Sequence, residues 1–248
     1  MSDMLAWSQF DIGSANPGSI MADWADWVPG AIESGALDGF WFMQKPPGLR
    51  LRVSGDLALV EGKLAATDAT FHRRGYCAEM FLFDGPAGMR AAHDFFTLDS
   101  IAIIRMARAL SQGTAIDPEA ASITLLDRLV CVAPLDPWER WDIWMRTLVL
   151  RGGDWQTVTP IREPGPQLVA PGDDYIAGIH RLFDRIGREG EAIVFPNGIR
   201  AILPFWIVFH WNRMGFDTAT QCRLAARQAA RHHPRERIEA MAGAWSRG

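Results

Sequence analysis

The sequence Lys45-Pro46-Pro47-Gly48 leaves this chain the least freedom in its fold. Two consecutive prolines fix the backbone and remove two amide donors, so neither a helix nor a central strand runs through them. Phe40–Gln44 precedes this block and Leu49–Val53 follows it, and both runs are rich in strand-forming residues. The spacing predicts two short strands joined by a turn. In Leu49-Arg50-Leu51-Arg52-Val53, alternate side chains point to opposite faces, so Arg50 and Arg52 share one face and the apolar residues share the other. Neighbouring guanidiniums repel unless water or an anion lies between them. Arginine has no neutral form to retreat to, and its planar fork suits a carboxylate. A solvated face, or pairing with acids of the same chain, satisfies the pair as well.

The rest of the chain divides around this pair of strands. Met4–Ile12 alternates loosely and is expected to form a first strand. From Ser19 to Ser34, the residues Ile20, Trp24, Trp27, Val28 and Ile32 fall near helical spacing, and Gly35 ends that helix. A further strand is expected within Ala69–Phe83. Asp84-Gly85-Pro86 then opens a long helix to about Leu110, with Pro86 tolerated in the first turn. Beyond it, helices are expected near Pro118–Cys131, Pro137–Leu150, Asp174–Ile186, Ile199–Met214, Thr218–His232 and Arg235–Trp245. Gly152–Gly172, with four prolines, reads as a long loop. The fold class is α+β: a small antiparallel sheet in the N-terminal third, packed with a mostly helical C-terminal body. Residues 1–248 are read as a single domain.

Composition narrows the function classes. Hydrophobic residues are 48% and charged residues 22% of the chain, the balance of a folded globular protein. A net charge of −4 gives no support to general nucleic-acid binding. The charge is uneven: Asp3, Asp11, Asp23, Asp26, Glu33 and Asp38 precede the first basic residue, Lys45, and arginines dominate from Arg213 onward. An acidic front and a basic tail are expected to attract each other across the fold. The start lacks the basic and apolar character of a secretory signal, and the longest apolar run, Ala201–Trp211, is too short to span a bilayer. Cys77, Cys131 and Cys222 lack metal-type spacing and read as reduced, mostly buried thiols of a cytoplasmic protein. Most of the eleven tryptophans are expected in the core, with several free to line a peptide cleft.

Three further groups bear on chemistry. His210 and Arg213, in Phe209-His210-Trp211-Asn212-Arg213, lie three apart and share a helical face. A histidine beside arginines exchanges protons near neutral pH, although a lone histidine in an apolar helix is more often a satisfied core residue. Phe71-His72-Arg73-Arg74-Gly75-Tyr76, with Glu79 after it, is either an anion site or a solvated strand end. Asp99-Ser100, inside the long helix, reads as a structural pair holding a loop or an arginine. No P-loop, dinucleotide fingerprint, nucleophile elbow or zinc helix is present in the sequence, and no metal or organic cofactor is expected.

Taken together, these pieces resemble the C-terminal elimination domain of lantibiotic dehydratases, which also occurs alone as the thiopeptide-type bacteriocin biosynthesis protein. The resemblance runs from Trp7 to about Arg231. It rests on Phe40-Trp41-Phe42 followed by Pro47-Gly48-Leu49-Arg50-Leu51-Arg52, on Tyr76 and Glu79 of a Tyr-x-x-Glu element, on Gly85, Met89 and Asp99-Ser100, and on His210-x-Asn212-Arg213. It implies a cytoplasmic lyase acting on a ribosomally synthesised precursor peptide. A separate glutamyl-tRNA-dependent enzyme would esterify Ser or Thr of that peptide. This domain would then remove the α-proton and expel glutamate, leaving a dehydroamino acid. By the same resemblance, Arg50 and Arg52 would hold carboxylates or developing charge and His210 would move the proton, while Arg213, Tyr76 and Arg74 would bind substrate. Arg50, Arg52, His210 and Arg213 are therefore expected to converge on one open cleft.

The sequence departs from the family pattern at two places. Gly48 stands where the family usually has His, and Leu82 stands where an Arg-Tyr-Gly-Gly element supplies an arginine for glutamate elimination. The second departure leaves two further readings open. One is the pyridine synthase branch of the fold, which joins two dehydroalanines by a formal [4+2] cycloaddition and then eliminates water and the leader peptide. The other is a non-catalytic subunit that binds the precursor or a partner enzyme.

Overall fold

A computed structural model of the chain describes residues 7–14, 16–45, 48–154 and 172–234. Four strands, β1 (Trp7–Gly13), β2 (Leu37–Lys45), β3 (Gly48–Gly55) and β4 (Thr70–Gly75), form one antiparallel sheet in the order β2-β3-β1-β4. The expected strand pair is there: Phe40 lies opposite Val53, Phe42 opposite Leu51, and Trp41 opposite Arg52. The middle of its turn, Pro46-Pro47, lies outside the described residues, as do the first part of the expected Met4 strand, residues 155–171 of the expected loop and the expected helix Arg235–Trp245.

Side-chain alternation gives the sheet two unlike faces. Phe10, Ile12, Phe40, Phe42, Leu49, Leu51 and Val53 form the apolar face, all buried. It packs against helix α1 (Pro17–Glu33), where Trp24 meets Phe40 edge-on, and against the short helix α2 (Leu57–Ala65) through Val60 and Leu64. The Asn16 side chain accepts from Ser19 N and caps α1, and Asp56 caps α2 by accepting from Leu59 N. The other face carries Trp7, Gln9, Asp11, Trp41, Arg50 and Arg52; the helical body packs on it along β2, around Trp41 and Met43, and leaves Asp11 and Arg50 part-exposed.

That body is built on α3 (Pro86–Ser111) and α8 (Ile199–Met214), with α4 (Pro118–Val132), α5 (Pro137–Leu150), α6 (Asp173–Glu189), the single turn α7 (Glu191–Val194) and α9 (Thr218–Arg231) around them. Helix α8 buries residues all round, including Ile202, Trp206, Phe209, His210, Trp211 and Arg213, so it runs through the middle of the core. Gly215, in the left-handed region at φ 75°, ends it.

Gly48 has a structural reason. A Cβ placed there would lie 1.9 Å from the carbonyl oxygen of Ile12, because β1 runs close beside this end of β3, with Gly13 opposite Gly48. The histidine usual at this family position does not fit without opening the strand end. Gly48→His is expected to cost about 1–3 kcal/mol of stability as overpacking, read as a lower urea midpoint. An unchanged midpoint would mean that β1 and β3 separate here at little cost.

Two expectations are corrected. Cys77 and Cys131 are exposed and Cys222 is half-buried, because each falls on the outer side of its segment. Nor do the acidic front and basic tail pair with each other among the described residues. Asp11 pairs with Arg50 and Arg74 and Asp26 with Arg108, while Arg213, Arg223 and Arg231 pair with Asp99, Glu119 and Asp127. Helix packing brings each arginine of the tail against an acid of α3 or α4 instead. No helix among the described residues is long and apolar enough to cross a membrane.

Candidate functional site

The cationic recess lies on the second sheet face. Adjacent strands place Gln9 opposite both Arg52 and Arg74, and Asp11 opposite Arg50, so three arginines from β3 and β4 gather around two β1 side chains. Arg50 Nε lies 3.3 Å and Arg74 Nε 2.8 Å from the Asp11 carboxylate, and both arginines reach solvent. Arg52 differs: its side chain is 3% exposed. Its guanidinium carbon sits 4.2 Å from the Trp41 ring centre and 5.1 Å from that of Tyr76. Its Nε donates to Gln9 Oε1 at 3.1 Å, and its Nη2 is 3.7 Å from Glu79 Oε1. Burial lowers the Arg52 pKa from its ordinary value, while Glu79 and Tyr76 act against that shift. The group nevertheless stays charged.

Satisfaction is incomplete here. Arg52 Nη1 and Glu79 Oε2 are both buried and have no hydrogen-bond partner among the described residues. A buried donor left unpaired costs about 1–3 kcal/mol, and more when charged. The two atoms belong to side chains that approach within 3.7 Å, and a ligand or ordered water reaching both would satisfy them. His93 completes the recess from α3, 6% exposed, with Nε2 3.0 Å from Tyr76 Oη.

His210 and Arg213 lie elsewhere, which corrects the expected convergence. Both are 0% exposed and both hold Asp99, itself 0% exposed. Asp99 accepts from His210 Nδ1 at 2.7 Å and from Arg213 Nε at 2.7 Å. Ser122 Oγ lies 2.9 Å from His210 Nε2 and 3.2 Å from Trp211 Nε1. Indole N–H only donates and carboxylate only accepts, so with the imidazole neutral the Ser122 hydroxyl donates to His210 Nε2. Ser122, His210 and Asp99 thus repeat the connectivity of a hydrolase triad, but Ser122 is 0% exposed. Burial raises the Asp99 pKa; His210 and Arg213 outweigh that and hold it below its ordinary value. From Arg52 to Arg213 the path runs through Trp41 and Phe96, whose rings are 4.8 Å apart, with Arg213 over Phe96 at 4.7 Å. An aromatic layer separates the two arginine groups.

Of the residues expected at the site, Arg50, Arg52, Arg74 and Tyr76 come together, and His210 and Arg213 do not. The reading of Asp99 as a residue that holds an arginine agrees with the structure. Sequence reasoning missed His93, Gln9 and Asp11. The one signal for His93 was its place on the buried stripe of α3, between Met89 and Phe96.

Fold and site together define an α+β structure with buried and exposed arginines gathered on one sheet face. The chain matches the family described as "Lantibiotic biosynthesis dehydratase C-term" over residues 19–233, and it belongs to that family. Among solved structures it is similar to the tRNA-dependent lantibiotic dehydratase MibB from Microbispora sp. 107891, with a TM-score of 0.63 and 15% identity. That match covers 97% of this chain and 29% of the MibB chain. No curated protein matches it. The family membership supports a role in lanthipeptide or thiopeptide biosynthesis.

Proposed function

We propose that this chain is the elimination component of peptide dehydration. It acts as a single-domain lyase in the cytoplasm on a precursor peptide whose Ser or Thr has been glutamylated by a separate glutamyl-tRNA-dependent enzyme. The observation that carries this reading is the unpaired Nη1 of buried Arg52, with Arg50 and Arg74 beside it. Three arginines against Asp11 and Glu79 leave a net positive charge, which suits the free carboxylate of a glutamyl ester and the carboxylate released from it. Arg52 holds the leaving carboxylate, and Arg50, Arg74 and Tyr76 contact the esterified peptide at the open rim. His210 and Arg213 support the site from the core behind Trp41.

The test is mass spectrometry of a glutamylated precursor incubated with the purified protein. Loss of glutamate with formation of a dehydroamino acid is the expected result, and an unmodified precursor should be untouched. Arg52→Ala is expected to lower kcat/KM about a hundredfold, the usual effect of removing a donor to developing negative charge. An intact ester after prolonged incubation would remove the reading. Leu82 favours a second one, since it puts no cation where the family has an arginine. If the ester persists and a bis-dehydroalanine peptide is cyclised instead, the chain is a pyridine synthase.

A further inference from the structure

His93 is a buried titratable group without a role in the binding scheme above. It projects from α3, 6% exposed, with its ring lying against Trp7 at a centroid distance of 4.2 Å. Trp7 is held in turn by its close approach to Gly39, where a Cβ would come within 2.6 Å of the indole. The imidazole is thereby fixed with Nε2 toward Tyr76 Oη at 3.0 Å. Tyr76 is half-buried and faces the Arg52 guanidinium. Its phenol therefore stands between the solvent-reaching rim and a sealed imidazole, next to the orphan atoms of Arg52 and Glu79.

We infer that Tyr76 and His93 form the proton-transferring pair of this recess, with Tyr76 as the catalytic residue and His93 as the positioning residue that receives the phenolic proton. The inference rests on the elimination reading above. As the Cα–H bond of the esterified residue breaks, its proton goes to Tyr76 Oη, and the phenol's own proton passes to His93 Nε2. The Cα–H electron pair becomes the Cα=Cβ double bond, and the Cβ–O pair leaves with the glutamate carboxylate. Return of the proton through Tyr76 to water resets the pair.

The electrostatics agree with this geometry. Burial, then the Arg52 charge, lower the His93 pKa to about 4, so the imidazole is neutral at rest, and in the tautomer protonated on Nδ1 its Nε2 accepts from Tyr76. Burial and Glu79, by its charge and by a hydrogen bond to the phenol, hold the Tyr76 phenol above its ordinary value against the pull of Arg52, so Tyr76 keeps its proton at rest. A carboxylate on Arg52 cancels the charge that opposes imidazolium formation. The charged and titratable groups facing the pair are Arg52 from β3 and Glu79 and Cys77 from the segment after β4.

The experiment follows single turnover of a glutamylated precursor across pH, with melting temperatures for each variant. Tyr76→Phe deletes one half-buried hydroxyl. It is expected to lower kcat about a hundredfold, with KM and folding little changed. His93→Gln keeps an acceptor for Tyr76 but takes up no proton, so the acidic limb of the kcat profile should disappear along with most of the rate. A merely structural His93 would lower the melting temperature and leave the limb in place. Tyr76→Phe at full rate overturns the pair while leaving the elimination reading intact. An unaltered His93→Gln profile, with the limb lost instead in Glu79→Gln, hands the proton to the carboxylate and also overturns it. No elimination by the unaltered chain removes the underlying reading and the pair with it.

Discussion

Replacing Asp99 with Ala is expected to cost about 3–5 kcal/mol of folding stability, because it breaks a buried ion pair from one side only. Asp99 is the carboxylate that satisfies both His210 and Arg213, and all three are fully buried. Arg213 Nη1 and Nη2 already lack partners among the described residues, and the guanidinium otherwise faces the Phe95 and Phe96 rings. Without Asp99, the cation has only those aromatic faces. A domain of this size is stable by about 5–15 kcal/mol, so the loss is a large fraction of the whole and should show as a much lower urea midpoint. Ser122→Ala breaks the other end of the same chain. It leaves His210 Nε2 and Trp211 Nε1 unpaired but no charge uncovered, so its cost should be smaller, about 1–3 kcal/mol. Urea midpoints of the two variants provide the comparison. A midpoint for Asp99→Ala near that of the unaltered protein would show that the core tolerates Arg213 unpaired and would sink this account.

The second large effect is expected from pH. His93 has an ordinary pKa of 6.5 and a folded value of about 4. Between those values the unfolded chain binds the proton and the folded chain does not, so stability rises with pH across that window. Acidification from about pH 6.5 to 4 should therefore remove about 3 kcal/mol through this group. Asp99 has its folded pKa lowered, so its contribution is lost only as pH falls further, below the ordinary carboxylate range. Asp94 has its folded pKa raised and works in the opposite sense, gaining stability as pH drops toward 4. Unfolding curves at several pH values measure the sum. His93→Gln isolates the histidine: its curve should lose most of the slope between pH 4 and 6.5. An equal slope in both proteins would mean that His93 takes up its proton in the folded state as readily as in the unfolded one.

Much of the architecture was legible in the sequence because its punctuation is strong. The proline turn, Gly35 and Pro86 mark boundaries that the structure keeps to within a few residues. Helix α2 was missed because only Val60 and Leu64 of its residues are buried, one i,i+4 pair being too little to set a period. Asp56, its cap, was the available signal. Strand β4 was only loosely bounded because it has no buried residue to mark its alternation. The site was half legible. Arg50 and Arg52 followed from a two-residue period alone, whereas the partners of His210 depended on helix packing. Phe209, His210 and Trp211 are all buried, so periodicity gave α8 no outward face. Only the fold decides that Asp99, 111 residues earlier, meets His210.

The Trp41–Arg52–Tyr76 stack has a consequence for how tightly a ligand is held. A free arginine side chain loses about 2 kcal/mol of rotamer entropy when it is immobilised. Arg52 gives up that freedom when the protein folds, because the sheet, Gln9 and two aromatic rings already fix it. Arg50 and Arg74, 36% and 66% exposed and held by Asp11 alone among the carboxylates of the described residues, keep more of theirs until association. The recess thus joins a preset anchor, which rewards one geometry of carboxylate, to two adaptable arms that accept peptides of differing shape.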